Sequence, residues 1–116
     1  GIFRRQKEAG EPLTIVGDGS QKRDFVHVED VARANYLASL MPLRKDGHDY
    51  TGEVFNVGSG KNCSIQEIAD VISDNQVYIS KRDGEMETTL ADISKIRSVL
   101  GWVPEIDVLE WVHGQK

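Results

Sequence analysis

Two arginines stand where a basic fork could close on an anion. Arg23 follows Lys22 and Arg82 follows Lys81, each pair next to a short apolar run. A guanidinium presents a planar set of donors that matches two phosphate oxygens at once, so a converging pair suits a diphosphate. Spacing alone favours two solvated surface charges. Glycines offer a second signal, because Gly58-Ser59-Gly60 lies between an apolar run and an amphipathic one. A dinucleotide fingerprint needs a third glycine three residues on, and Cys63 stands there, so the stretch reads as a helix-entry turn. The arrangements that perform catalysis are missing. No tyrosine has a lysine four residues on, since Leu40 follows Tyr36, Val54 follows Tyr50 and Arg82 follows Tyr78. There is neither a GxSxG elbow nor a phosphate-binding GxxxxGK[ST] loop. Cys63, His27, His48 and His113 are scattered singly, without the spacing of a zinc site.

These residues need elements to hold them. Ile2 to Ala9 reads as the closing turns of a helix that begins upstream, stopped by Gly10-Glu11-Pro12. Leu13 to Val16 is a β-rich run followed by the turn residues Gly17-Asp18-Gly19-Ser20. Asp24 to Val28 alternates polar and apolar and predicts a half-buried strand. Asp30 then caps a helix whose apolar face is Val31, Ala34, Ala38 and Met41, and 42–52 is a polar loop. Val54 to Val57 predicts a third strand. Ser64 and Glu67 form a capping box ahead of Ile65, Ile68, Ala69 and Ile72, which share one helix face. Gln76 to Ser80 predicts a fourth strand. Asp92 caps a helix with Ile93, Ile96 and Leu100 inward and Gly101 at its end, and a last helix runs near 107–112. Strands alternating with helices give an α/β chain.

Composition narrows the function. The chain has 116 residues, of which 14 are basic and 19 acidic, for a net charge of −5. One domain, or part of one, fits that length. The acidic balance argues against a nucleic-acid or membrane-surface partner, whose binders are normally basic. No apolar run approaches the roughly 20 residues of a membrane span. A single cysteine forms no internal bridge, and a reducing, cytoplasmic setting is the expectation.

Longer stretches carry a family resemblance. Gly10 to Gly19, Arg23 to Ala34, Gly52 to Gly60, Arg82 to Glu85, Ala91 to Lys95 and Leu100 to Pro104 follow one another in the order of the extended short-chain dehydrogenases. These are the NAD-dependent nucleotide-sugar epimerases and dehydratases. The chain resembles their C-terminal part alone. The resemblance therefore implies a small mixed α/β substrate-binding region, a single unit over 1–116, that lacks the N-terminal Rossmann domain. It also implies that 25–41 supplies an edge strand and helix to that missing domain. The partner implied is a nucleotide-diphosphate sugar. Arg23 would hold one phosphate, Arg82 the diphosphate from the other side, and Glu85 would reach the ribose where the family usually has aspartate. Thr14 and Val16 would offer main-chain groups to the base, although Val16 stands where many members carry an aromatic ring. NAD would belong to the intact enzyme, with no cofactor and no catalytic residue in this chain. Self-association, most simply as a dimer, follows for an isolated chain whose 25–41 unit lacks its cover. The competing expectation is a stand-alone binding or interaction module without catalysis.

Overall fold

A computed structural model describes residues 1–115. In chain order the elements are α1 (Ile2–Glu8), β1 (Leu13–Val16), β2 (Lys22–Arg23), α2 (Val28–Leu40), β3 (Arg44–Lys45) and β4 (His48–Asp49). They continue with β5 (Cys63–Ser64), α3 (Ile65–Ile72), β6 (Gln76–Ile79), α4 (Ser94–Leu100) and α5 (Val108–Gly114). The strands form three ribbons: β1 with β6 in parallel, β2 with β5 and β3 with β4 antiparallel. The mixed α/β character expected from the sequence is what the chain adopts.

The apolar side chains gather in two small cores. Leu13 and Ile15 alternate inward from β1, as period two requires, and meet Ala69 of α3 with Phe3, Ile65 and Ile72 around them. Ala34, Ile93, Ile96 and Trp102 form the other, with Val26, Leu37, Phe55 and Val57 packed against it. Helix α3 begins as its capping box dictates: Ser64 Oγ accepts the Glu67 N–H at 3.0 Å, and Glu67 accepts the Ser64 N–H at 2.6 Å.

Several expectations are corrected. Residues 24–27 form no strand; the ladder ends at Arg23, and α2 starts at Val28. Its N-cap is His27, whose Nδ1 accepts the Glu29 N–H at 3.1 Å, and not Asp30. Asp30 is instead buried, and α2 is rotated so that Asp30, Ala34 and Leu37 turn inward while Ala38 is exposed. Residues 54–57 also form no strand, because among the described residues no other strand lies alongside them to share a ladder. Lys95 Nζ bonds the Val54 carbonyl at 2.8 Å in place of a strand neighbour. The stretch 42–52 holds the β3–β4 hairpin rather than a plain loop. Asp46 and Gly47 both have positive φ, 51° and 77°, which is the two-residue turn that an Asp-Gly pair favours. Asp92 falls one place early as a cap; Ile93 occupies that position, and the Asp92 carboxylate accepts the Ser94 N–H at 3.0 Å.

Candidate functional site

Strand β1 presents one edge to β6 and the other outward. Leu13 N–H donates to the Asn75 carbonyl and Gly17 N–H to the Ile79 carbonyl, both at 2.8 Å. In a parallel ladder this phase turns the main chain of Thr14 and Val16 to the opposite edge. Half of that edge is already used. The Gln6 side chain from α1 accepts the Thr14 N–H at 3.1 Å and donates to Thr14 Oγ1 at 2.9 Å. Gln21 Nε2 donates to the Val16 carbonyl at 3.0 Å. Among the described residues, the Thr14 carbonyl and the Val16 N–H are left without partners. One acceptor and one donor, two residues apart, thus remain on this edge.

Arg23 closes β2 and is half-buried. Its Nη1 donates to the neighbouring Lys22 carbonyl at 2.9 Å, and among the described residues no carboxylate pairs with it. Arg82 lies in the loop after β6, exposed and likewise unpaired among the described residues. That loop is tied at both ends. Its start continues the β6 strand that pairs with β1, and its far end returns to β2, where the Lys22 N–H meets the Glu87 carbonyl at 2.7 Å. The Thr89 N–H then donates to the Lys22 carbonyl at 3.0 Å. Lys81 reaches Glu87 across the loop at 3.4 Å, and Glu85 sits half-buried between them in sequence. The fold therefore brings the Arg82 loop back onto the strand that carries Arg23. No direct bond joins Arg23, Arg82 and Glu85 among the described residues.

Asp24, which the sequence did not single out, organises the far side of β2. Its Oδ1 accepts the Ser59 N–H and Oγ–H, each at 2.7 Å, and its Oδ2 accepts the N–H groups of Gly60 and Ala91, each at 3.1 Å. Its own N–H donates to Thr89 Oγ1 at 3.1 Å. Burial pushes this carboxyl upward, but the bonds from Ser59, Ala91 and Gly60 together outweigh burial and hold it below the ordinary aspartate value. The glycines at 58–60 serve this closure. A Cβ on Gly58 would lie 2.5 Å from Ala91 Cβ and 3.0 Å from Asp24 Oδ2, so only glycine fits. That space is filled by the chain's own side chains, and the residues present do not form a dinucleotide cradle. The Gly58-Ser59-Gly60 signal was real, but its partner was a carboxylate 35 residues upstream.

The β1 edge offers one acceptor and one donor, and Arg23 and Arg82 stand on β2 and on the loop that returns to it, with no nucleophile hydrogen-bonded to a base among these described residues. Among the described residues no cluster of histidine, cysteine and carboxylates could hold a metal ion. No helix among the described residues is long and apolar enough to cross a membrane.

Known proteins resemble this chain in sequence and fold. The family model described as GDP-mannose 4,6 dehydratase matches residues 2–114. A protein of Methanocaldococcus jannaschii named putative UDP-glucose 4-epimerase is 39% identical, over 96% of this chain and 35% of its own length. The UDP-glucuronate 4-epimerase of Thermodesulfobacterium geofontis is 38% identical, over 94% of this chain and 34% of its own. Among solved structures, the UDP-glucose 4-epimerase of Thermotoga maritima with UDP-glucose superposes with a TM-score of 0.81 at 31% identity, covering 97% of this chain and 36% of that one. The UDP-glucuronic acid 4-epimerase of Bacillus cereus, with UDP-glucuronic acid and NAD, gives 0.80 at 30% identity, covering 97% and 37%. The chain thus spans about a third of the length of the relatives it matches, and its fold corresponds to their C-terminal portion.

Proposed function

Because the chain belongs to the GDP-mannose 4,6 dehydratase family, we propose that it grips the nucleotide diphosphate of a sugar substrate in an NAD-dependent epimerase or dehydratase. A UDP-sugar is the ligand we favour, and a UDP-glucose 4-epimerase the enzyme, after the relatives bearing those names. One observation carries the reading: among the described residues Arg23 and Arg82 have no carboxylate partners, yet the Arg82 loop is anchored onto the strand that ends in Arg23.

In this reading the two guanidinium groups take the diphosphate from opposite sides. The Thr14 carbonyl and the Val16 N–H receive the donor–acceptor edge of the base, and Glu85 reaches the ribose. Such binding, remote from the reacting carbon, orients the sugar and lowers the barrier elsewhere in the enzyme. NAD, which accompanies the substrate in relatives such as the Bacillus cereus epimerase, supplies redox chemistry at the sugar. The Gly58–Gly60 turn does not fit it, so we assign its site to the remaining two-thirds of such an enzyme. We place residues 25–41 against that part. Helix α2 leaves Val28, Tyr36 and Leu40 exposed, and Val54 beyond it is 76% exposed. The lone thiol of Cys63 is compatible with a cytoplasmic setting. Calorimetric titration of the chain with UDP and UDP-glucose tests the reading; binding that disappears in the Arg23→Ala, Arg82→Ala double variant supports it, and no binding by the unsubstituted chain refutes it.

A further inference from the structure

We propose that Asp24 is the positioning residue for both arginine arms, an inference that rests on the diphosphate reading above. Its carboxylate holds four donors from two segments remote in sequence, the 58–60 turn and Ala91. Each oxygen already accepts two bonds from the chain, so what Asp24 contributes to binding passes through its neighbours. Arg23 is the residue before it. Among the described residues the Arg23 guanidinium bonds the adjacent Lys22 carbonyl alone, so the β2 backbone sets its aim, and Asp24 pins that backbone.

The other arm is held from the same place. Thr89 accepts the Asp24 N–H through Oγ1 and donates its own N–H to Lys22, at the root of the Arg82 loop. Ala91, two residues further, donates directly to the carboxylate. One side chain therefore fixes the start of one arm and the end of the other. Their separation has to match the span between two phosphates, and Asp24 sets it.

The obvious variant is Asp24→Asn, which keeps the shape but turns an amide N–H₂ toward N–H and O–H donors. The measurement is the affinity of the whole chain for UDP and for UMP, by calorimetry. Their ratio reports the second phosphate, which requires both arms at the right spacing. We expect UDP binding to weaken about tenfold in Asp24→Asn while UMP binding changes less than about twofold, the scale of one misplaced charge-assisted contact. Thr89→Val should shift the ratio in the same direction by a smaller factor. A role confined to fold stability would weaken both nucleotides alike. Equal losses for UDP and UMP, or an unchanged ratio in a variant whose circular dichroism matches the parent, overturns the assignment. If Asp24→Asn does not fold, Thr89→Val and Ser59→Ala decide by the same ratio. Failure of the unsubstituted chain to bind UDP removes the diphosphate reading itself, and this inference with it.

Discussion

The indole Nε1 of Trp102 donates to the backbone carbonyl of Asp30 at 2.9 Å, joining residues 72 apart in the chain. The Asp30 carboxylate, 2% exposed, answers by accepting the N–H groups of Glu105 and Ile106 and one Arg33 Nη2 hydrogen at 3.0 Å. Arg33 adds a bond to the Val103 carbonyl at 2.6 Å and lies over the Trp102 ring. Helix α2 and the segment after α4 are thus latched by one residue's main chain and side chain together.

Asp30→Ala should lower stability by about 2–4 kcal/mol, because two backbone donors and a guanidinium lose their acceptor in a buried place. Trp102→Phe, which keeps most of the ring and loses the donor, should cost less, on the order of 1–2 kcal/mol. Urea unfolding followed by fluorescence and circular dichroism measures both. An Asp30→Ala chain as stable as the parent would contradict the latch.

Arg23→Ala and Arg82→Ala should each weaken UDP binding by roughly tenfold to a hundredfold, as expected for loss of a charge-assisted contact of about 1.5–3 kcal/mol. Lysine at either place should recover only part, since a point charge cannot form the two-toothed bond. Unfolding midpoints should stay near the parent's, because neither guanidinium supports the fold through an ion pair. Titration calorimetry paired with thermal melts separates the two effects.

Acid should unfold the chain through its aspartates. At Asp30, burial pushes the carboxyl up, but the bonds from Ile106, Glu105 and Arg33 prevail, and its folded pKa lies below the ordinary value, as at Asp24. A depressed carboxylate contributes its full stabilisation above the unfolded pKa of about 3.9 and loses it as pH falls through the folded value. Urea midpoints should therefore hold steady from neutral pH to about 5 and fall below about 4. Asp30→Asn, weaker at neutral pH, should show a shallower acid loss, and an equal slope would exclude Asp30 as a source of the pH dependence.

The exposed side of helix α2 should make the isolated chain self-associate. Val28, Tyr36 and Leu40 recur on its outer face, and each large side chain left in water forgoes roughly 1.5–3 kcal/mol of burial. Sedimentation across a dilution series should reveal a species near twice 12.9 kDa that Val28→Glu with Tyr36→Lys converts to monomer. A monomer at every concentration would remove this expectation.

Local signals in the sequence were read correctly where the bonds they need are local. Ser64 and Glu67 lie three residues apart and cap α3 as their spacing dictates. Leu13 and Ile15 alternate inward as β1 predicts. The errors share a physical cause. Val54 to Val57 has the composition of a strand, but a ladder needs a neighbour, and among the described residues none is there. Asp30 has the chemistry of a cap, but Glu105 and Ile106 compete for it from far along the chain, and His27 takes the cap instead. Asp24 was invisible because its donors stand 35 to 67 residues away. The Asp46-Gly47 turn was legible and went unread; two positive φ values in succession are what that dipeptide tolerates best.

The parallel pairing of β1 with β6 has a consequence for the order in which the protein can assemble. Leu13 waits for Gln76, Asp24 for Ala91 and Asp30 for Trp102, so the contacts that define the molecule span most of its length. Contacts this distant in sequence require large loops to close before any of them is rewarded, which slows folding compared with helical bundles. On the ribosome, β1 emerges long before its neighbour strand, and α2 before its latch. The nascent chain therefore carries an unpaired strand edge until Gln76 to Ile79 are made and an uncovered helix face until Trp102 follows, the interval in which a chaperone has something to hold.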